Sequence, residues 1–316
     1  MMTRSEAARW FAEHDRFCIL THSGPDGDTL GSAAFLCLGL RALGKTAVVL
    51  ENPETPENLA YLCENVTAQL PVDDALFVSV DVAAPHMLPL IQQQYLPRLS
   101  LRIDHHGRST PFGQQELVDP ASASCAEIIY DILMELGVPL TAEMAIPLYT
   151  GISTDTGCFR FANTTPHTFS VAAACASTGA DLQPITQKLF DTVSLNKLKV
   201  QAWVTEHIRF LADGKAALCA MPSGLAQELD VEESDVGGMS GFVRSIEGVC
   251  IAITLRESAE EGLVFLSARA VPGYDAAAVC EKFGGGGHKG AAGGSAKLPL
   301  AEAVKAAEAA LLEAVR

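Results

Sequence analysis

The chain has 316 residues, more than one hydrophobic core usually organises, so two domains are expected. Apolar residues make up 48 %, which supplies ample core and excludes a disordered chain. Lys and Arg number 22 against 38 Asp and Glu, a net charge of −16 that excludes a protein coating long nucleic acid; a small phosphorylated ligand held in a cation-lined pocket stays open.

Apolar strands and helices alternate along the first half. Phe17–Thr21 reads as a strand and Thr29–Leu43 as a helix stopped at Gly44. Thr46–Leu50 and Ala75–Val80 read as strands, and Leu101–Ile103 begins another that runs into Asp104. Helical spacing covers roughly Ser122–Leu136, Ala142–Ile152 and Pro166–Ser177. This interleaving predicts an α/β fold with an N-terminal, mainly parallel sheet covered by helices on both faces. From about Asp181 to Phe210 the pattern is helical and more polar, as in a linker. Strands at Ala216–Ala220, Val249–Leu255 and Leu263–Ala268, with helices at Asp275–Lys282 and Leu300–Val315, predict a smaller C-terminal α/β domain. The expected boundaries are residues 1–185 for the first domain, 186–210 for the linker and 211–316 for the second.

The nine cysteines form no C-x-x-C pair and read as small buried hydrophobes in a reducing compartment. Glu6, Glu13 and Asp15 interrupt the N-terminus before a secretory signal develops, and no apolar run approaches the ~18 residues of a membrane span. The expectation is a cytoplasmic protein without a membrane partner.

Five segments carry chemistry. In His22-Ser-Gly-Pro-Asp26-Gly-Asp28, two carboxylates two residues apart share a turn that Gly27 frees in its backbone angles. Read alone, an N-capping turn explains them slightly better. Asp81 ends the apolar run VSVD, and Asp104-His105-His106 ends another. Gly151-Ile-Ser-Thr-Asp155-Thr-Gly157 closes a helical run with a carboxylate among small residues. Gly284–Gly294 has seven glycines in eleven residues around His288; successive amides there suit a phosphate nest, with Arg256 and Arg269 at nearby strand ends. Each segment has a bland alternative, but those alternatives must coincide at four strand or helix ends. A carboxylate–imidazole set without cysteine favours Mn²⁺ over structural zinc, with Mg²⁺, Co²⁺ or Fe²⁺ open, and there are donors enough for two divalent cations.

Taken together, these motifs resemble the DHH phosphoesterase superfamily. HSGPDGDTLGS is similar to its first motif, VSVD to its second, IDHH to its third, GISTDTGCFRF to its fourth, and FGGGGHKGAAGG to the glycine-rich signature of its associated domain. Length and two-domain layout resemble the group that degrades nanoRNA and dephosphorylates 3′-phosphoadenosine 5′-phosphate (pAp). The resemblance implies one cation on His22, Asp26 and Asp81, and another on Asp28, Asp81, His105 and Asp155. It implies Asp104 supporting His105, His106 facing the scissile phosphate, and Gly286, Gly287, His288 and Arg269 holding the terminal nucleotide. The implied activity is two-metal hydrolysis of very short oligonucleotides to mononucleotides, of pAp to AMP, or both. Hydrolysis of pApA, other dinucleotides, pyrophosphate or short polyphosphate is the alternative, and a non-catalytic nucleotide sensor is a third reading. A homodimer is left open.

Overall fold

Strands β1 (Phe17–Leu20), β2 (Ala47–Leu50), β3 (Thr67–Ala68), β4 (Leu76–Val80), β5 (Leu99–Asp104) and β6 (Gln115–Val118) form one sheet in the order β3-β2-β1-β4-β5-β6. Every pairing in it is parallel. Parallel neighbours need crossovers, and the crossover helices cover both faces, so β1 and β5 are buried along their whole length. The strand order reverses between β1 and β4, where an open α/β sheet leaves a crevice at its carboxyl ends. The computed structural model describes residues 1–107, 109–259 and 262–316. It divides into two compact units, Met1–Thr192 and Val193–Arg316.

The Gly27–Ala42 helix is the centre of the first unit. Thirteen of its sixteen residues are buried, so it lacks a solvent face and packs on more than one side. Small residues allow this. A Cβ on Gly31 would lie 2.5 Å from the Pro147 carbonyl oxygen, and one on Gly151 would lie 2.9 Å from Asp28 Oδ1. Gly27 has helical rather than left-handed backbone, contrary to the role expected for it. Its size is what matters, because a Cβ there would meet Thr154 Cγ2 at 2.4 Å. The Arg4–Glu13 helix, not foreseen from the sequence, starts at a Thr3–Glu6 capping box and buries Trp10 and Phe11 beside Phe17.

The second unit holds β7 (Arg209–Leu211), β8 (Ala216–Met221), β9 (Ile251–Glu257), β10 (Leu263–Ala270), β11 (Gly286–Gly287) and β12 (Ala291–Lys297) in the order β11-β12-β10-β9-β8-β7. Among the described residues only β8 and β9 pair in parallel. Ala216 and Leu218 pack with Ala303, Ala307 and Leu311 of the C-terminal helix. Ala217 and Cys219 point the other way, toward Val200 and Val204 of the Leu195–His207 helix. Among the described residues no helix is long and apolar enough to cross a membrane.

Candidate metal centre

The crevice collects side chains from six places. His22 lies two residues past β1, Asp81 follows β4, and His105 and His106 follow β5. Asp26 caps the Gly27–Ala42 helix, accepting hydrogen bonds from the amides of Asp28 (3.0 Å) and Thr29 (3.1 Å). The capping role and a place in the site are therefore compatible. Asp28 lies in the first turn of that helix, and Asp155 ends the Ala142–Asp155 helix. Buried amides fix the turn after β1. Asn52 Nδ2 donates to the His22 carbonyl (2.8 Å), and Gln92 Oε1 accepts from the Thr21 amide (3.3 Å).

Three groups of donor atoms could each hold a cation: His22, Asp26 and Asp81; Asp28, His105 and Asp155; and Asp81, His105 and His106. His22 Nε2 lies 3.6 Å from Asp26 Oδ1 and 3.7 Å from Asp81 Oδ2. His105 Nε2 lies 3.0 Å from Asp155 Oδ2, 3.5 Å from Asp81 Oδ1 and 4.0 Å from Asp28 Oδ2. Asp81 stands between the groups with a left-handed backbone (φ 58°), a conformation Asp tolerates better than most residues and one that marks functional sites.

The residues present fit cations. Among the described residues Asp81 Oδ1 is buried and accepts no hydrogen bond, a costly state for a carboxylate oxygen unless a positive charge faces it. Burial and the charges of Asp81 and Asp155 push the Asp28 carboxyl well above its usual range. Burial raises Asp81 to about 6 despite the His22 ring beside it. Burial works against charged rings at His22 and His105, yet the carboxylates around them prevail and raise each to about 11. Protons on the rings thus supply the charge that divalent ions would bring.

Asp104 acts differently from the expected support of His105. Its Oδ1 accepts from the His105 amide (2.8 Å), the His106 amide (3.1 Å) and His106 Nδ1 (2.7 Å). The His105 ring instead turns Nδ1 to the Ser122 carbonyl at 3.3 Å. Burial opposes ionisation of Asp104, but His106 and Arg102 outweigh it and hold its carboxyl at about 2. As an ionised acceptor it requires the proton of His106 to sit on Nδ1. Arg102 stands behind the site and was not singled out from the sequence. It is fully buried, pairs with Asp104 and with Glu116 (2.8 Å), and donates to the Val82 carbonyl (2.8 Å). Its signal was available: residues two apart in a strand share a face, and Arg102 precedes Asp104 by two.

In the second unit the glycine-rich segment is a hairpin rather than a run of outward amides. β11 pairs with β12, and His288 and Ala291 close the turn (2.8 and 3.2 Å). A Cβ on Gly285 would lie 2.3 Å from the Gly293 carbonyl, so glycine is needed for two backbones to meet. Gly286, Gly287 and His288 are exposed. Arg269 faces Ala291 across the β10–β12 ladder, which places it beside this turn. Arg256 is not brought there; it lies over Phe265, 5.0 Å from the ring centroid, near Glu233.

The order HSGPDGD, VSVD, IDHH and STDTG on a parallel sheet with this donor set characterises one class of phosphoesterase, and the chain belongs to the DHH family. The DHH family N-terminal domain matches residues 16–152, and the DHHA1 domain matches residues 213–316. The chain is 37 % identical over 304 residues to the bifunctional oligoribonuclease and PAP phosphatase NrnA of Thermus thermophilus, covering 94 % of this chain and 88 % of that one. A protein of the same name from Bacillus subtilis is 26 % identical over 92 % of this chain and 93 % of its own. The crystal structure of an exopolyphosphatase-related protein from Bacteroides fragilis superposes with a TM-score of 0.87 at 25 % identity, covering 98 % of this chain and 95 % of that one.

Proposed function

We propose that this protein is a two-cation hydrolase that trims very short oligoribonucleotides to mononucleotides and removes the 3′-phosphate of pAp. The observation that carries the reading is Asp81 standing between the His22–Asp26 and Asp28–His105–Asp155 groups, with a buried oxygen that no hydrogen bond satisfies among the described residues. The names of the Thermus thermophilus and Bacillus subtilis relatives support the substrate choice. His22, Asp26 and Asp81 would hold one ion, and Asp28, Asp81, His105 and Asp155 the other. The donor chemistry favours Mn²⁺. When bound, the ions supply positive charge against the phosphate oxygens and acidify the attacking water.

The chain's own residues do the rest. His106, its Nδ1 turned to Asp104, works through Nε2, either donating to a phosphoryl oxygen or giving a proton to the leaving oxygen. Asp104 keeps that ring in one tautomer and balances its charge. Arg269, Gly286, Gly287 and His288 would grip the terminal nucleotide: Arg269 as a fork for phosphate, the hairpin through its exposed backbone and imidazole.

A substrate panel tests this. With Mn²⁺ the protein should cleave RNA two-mers to five-mers and pAp, and leave a 24-mer almost untouched. Rapid cleavage of the 24-mer with no reaction on short oligomers or pAp overturns the substrate reading. Preference for pyrophosphate or pApA would move the assignment to the alternative substrates.

A further inference from the structure

The members of one proposed cation group, Asp28, His105 and Asp155, come from distant parts of the chain, yet all are held by the same short segment. The Ser122 carbonyl faces His105 Nδ1 (3.3 Å). The Cys125 and Ala126 amides donate to Asp28 Oδ2 (2.6 Å) and Oδ1 (3.0 Å). Asn163 Nδ2 donates to the carbonyls of Ala123 and Asp155, both at 3.0 Å, tying the segment to the end of the helix that carries Asp155. Among the described residues the His22–Asp26–Asp81 group bonds elsewhere: His22 Nδ1 faces the Ser23 carbonyl and Asp26 caps its own helix.

Arg4 also secures the segment from outside. Arg4 Nη2 donates to Ser122 Oγ (2.6 Å) and pairs with Asp119 Oδ2 (2.7 Å), while its Nε lies 3.1 Å from Asp131 Oδ2. Asp119 in turn bonds the Ala121 amide (3.0 Å), and its own amide donates to the Asp104 carbonyl (3.0 Å). Arg4 therefore acts on the strand end that bears His105 and on the carbonyl that orients its ring.

We propose that Arg4 and Asn163 are positioning residues for the Asp28–His105–Asp155 cation alone, acting through residues 119–126. The inference rests on the two-cation reading above. Partners behind a ligand shift metal affinity by about 10- to 100-fold when removed, and here three ligands share one support. The two ions should therefore respond unequally to a change at Arg4.

Mn²⁺ binding to the metal-stripped protein, read by the electron paramagnetic resonance signal of free Mn²⁺, tests this without any turnover. In an His22→Ala background, which keeps the Asp28–His105–Asp155 group, adding Arg4→Ala should weaken the remaining ion about tenfold or more. In an Asp155→Ala background it should change the remaining ion less than about twofold, and Arg4→Lys should recover part of the loss. Arg4 is partly exposed, so the variant should fold; Asn163→Ala gives an independent second reading with the same pattern. Equal weakening in both backgrounds, or none in the first, overturns the proposal alone. A wild-type chain that takes up no Mn²⁺ overturns the two-cation reading and the proposal with it.

Discussion

Gly31→Ala tests how the helix contact beneath the site sets its geometry. The added methyl would sit 2.5 Å from the Pro147 carbonyl oxygen and 3.0 Å from the Gly151 amide nitrogen, where ordinary contact begins near 3.4 Å. The obstacle is helix backbone, so the Ala142–Asp155 helix must give way by roughly 0.9 Å in a close-packed interior. Overpacking costs about 1–3 kcal/mol, and alanine's helix propensity returns about 1 kcal/mol, so a fall of a few degrees in melting temperature is expected. The site should suffer much more. Asp155 Oδ2 is 3.0 Å from His105 Nε2, and cation ligands tolerate about 0.2 Å, so Mn²⁺ affinity and turnover should drop about 10- to 100-fold. Gly39→Ala is the control in the same helix. Its methyl would meet Leu133 Cδ1 at 2.4 Å, the end of a side chain that can change rotamer. Thermal melting beside Mn²⁺ titration and hydrolysis of an RNA two-mer measures both. The reasoning fails if Gly31→Ala keeps activity and affinity within about threefold, or if Gly39→Ala loses as much.

Cation uptake should release protons. The rings of His22 and His105 are raised to about 11 in the cation-free protein, so both are charged at pH 7 and must lose a proton to ligate. Affinity should rise with pH between 6 and 9, and calorimetry in buffers of different ionisation enthalpy should count about two protons; none released would refute the assignment. Asp81→Asn keeps a side chain that tolerates the left-handed backbone and removes the shared charge, so turnover should fall more than about a hundredfold. Because burial raises this carboxyl to about 6, its charge burdens the cation-free fold at pH 8, and the cation-free variant should melt at or above the wild-type temperature. Cys18, Cys37, Cys125, Cys175, Cys219 and Cys280 are buried, and burial raises Cys18 and Cys175 to about 12. A thiol-reactive dye should label promptly at most Cys63, Cys158 and Cys250 in the native protein; rapid labelling of more would contradict the burial.

What was legible in the sequence is what periodicity and strand ends encode. The apolar runs FCIL, AVVL and LFVSV read as buried strands, and His22 and Asp81, which follow the first and third, fall at one edge of a parallel sheet. Contacts between segments were not legible. The size of Gly27 answers to Thr154, and Asp28 is held by amides nearly a hundred residues away, neither of which leaves a local mark. The i−2 spacing of Arg102 from Asp104 was legible, but its bonds to Glu116 and the Val82 carbonyl, on other segments, were not. The Ala291–Lys297 strand was masked by its glycines, whose low strand propensity is overridden by pairing with β10.

The six proposed ligands span residues 22 to 155, most of the first unit. An unfolded chain cannot gather them, so the ions bind the native state alone and enter the folding equilibrium by mass action. Free Mn²⁺ at a hundred times its dissociation constant would add about 2.7 kcal/mol of stability per site. The supply of the ion then governs how long each molecule survives unfolding and proteolysis, as well as how fast it turns over.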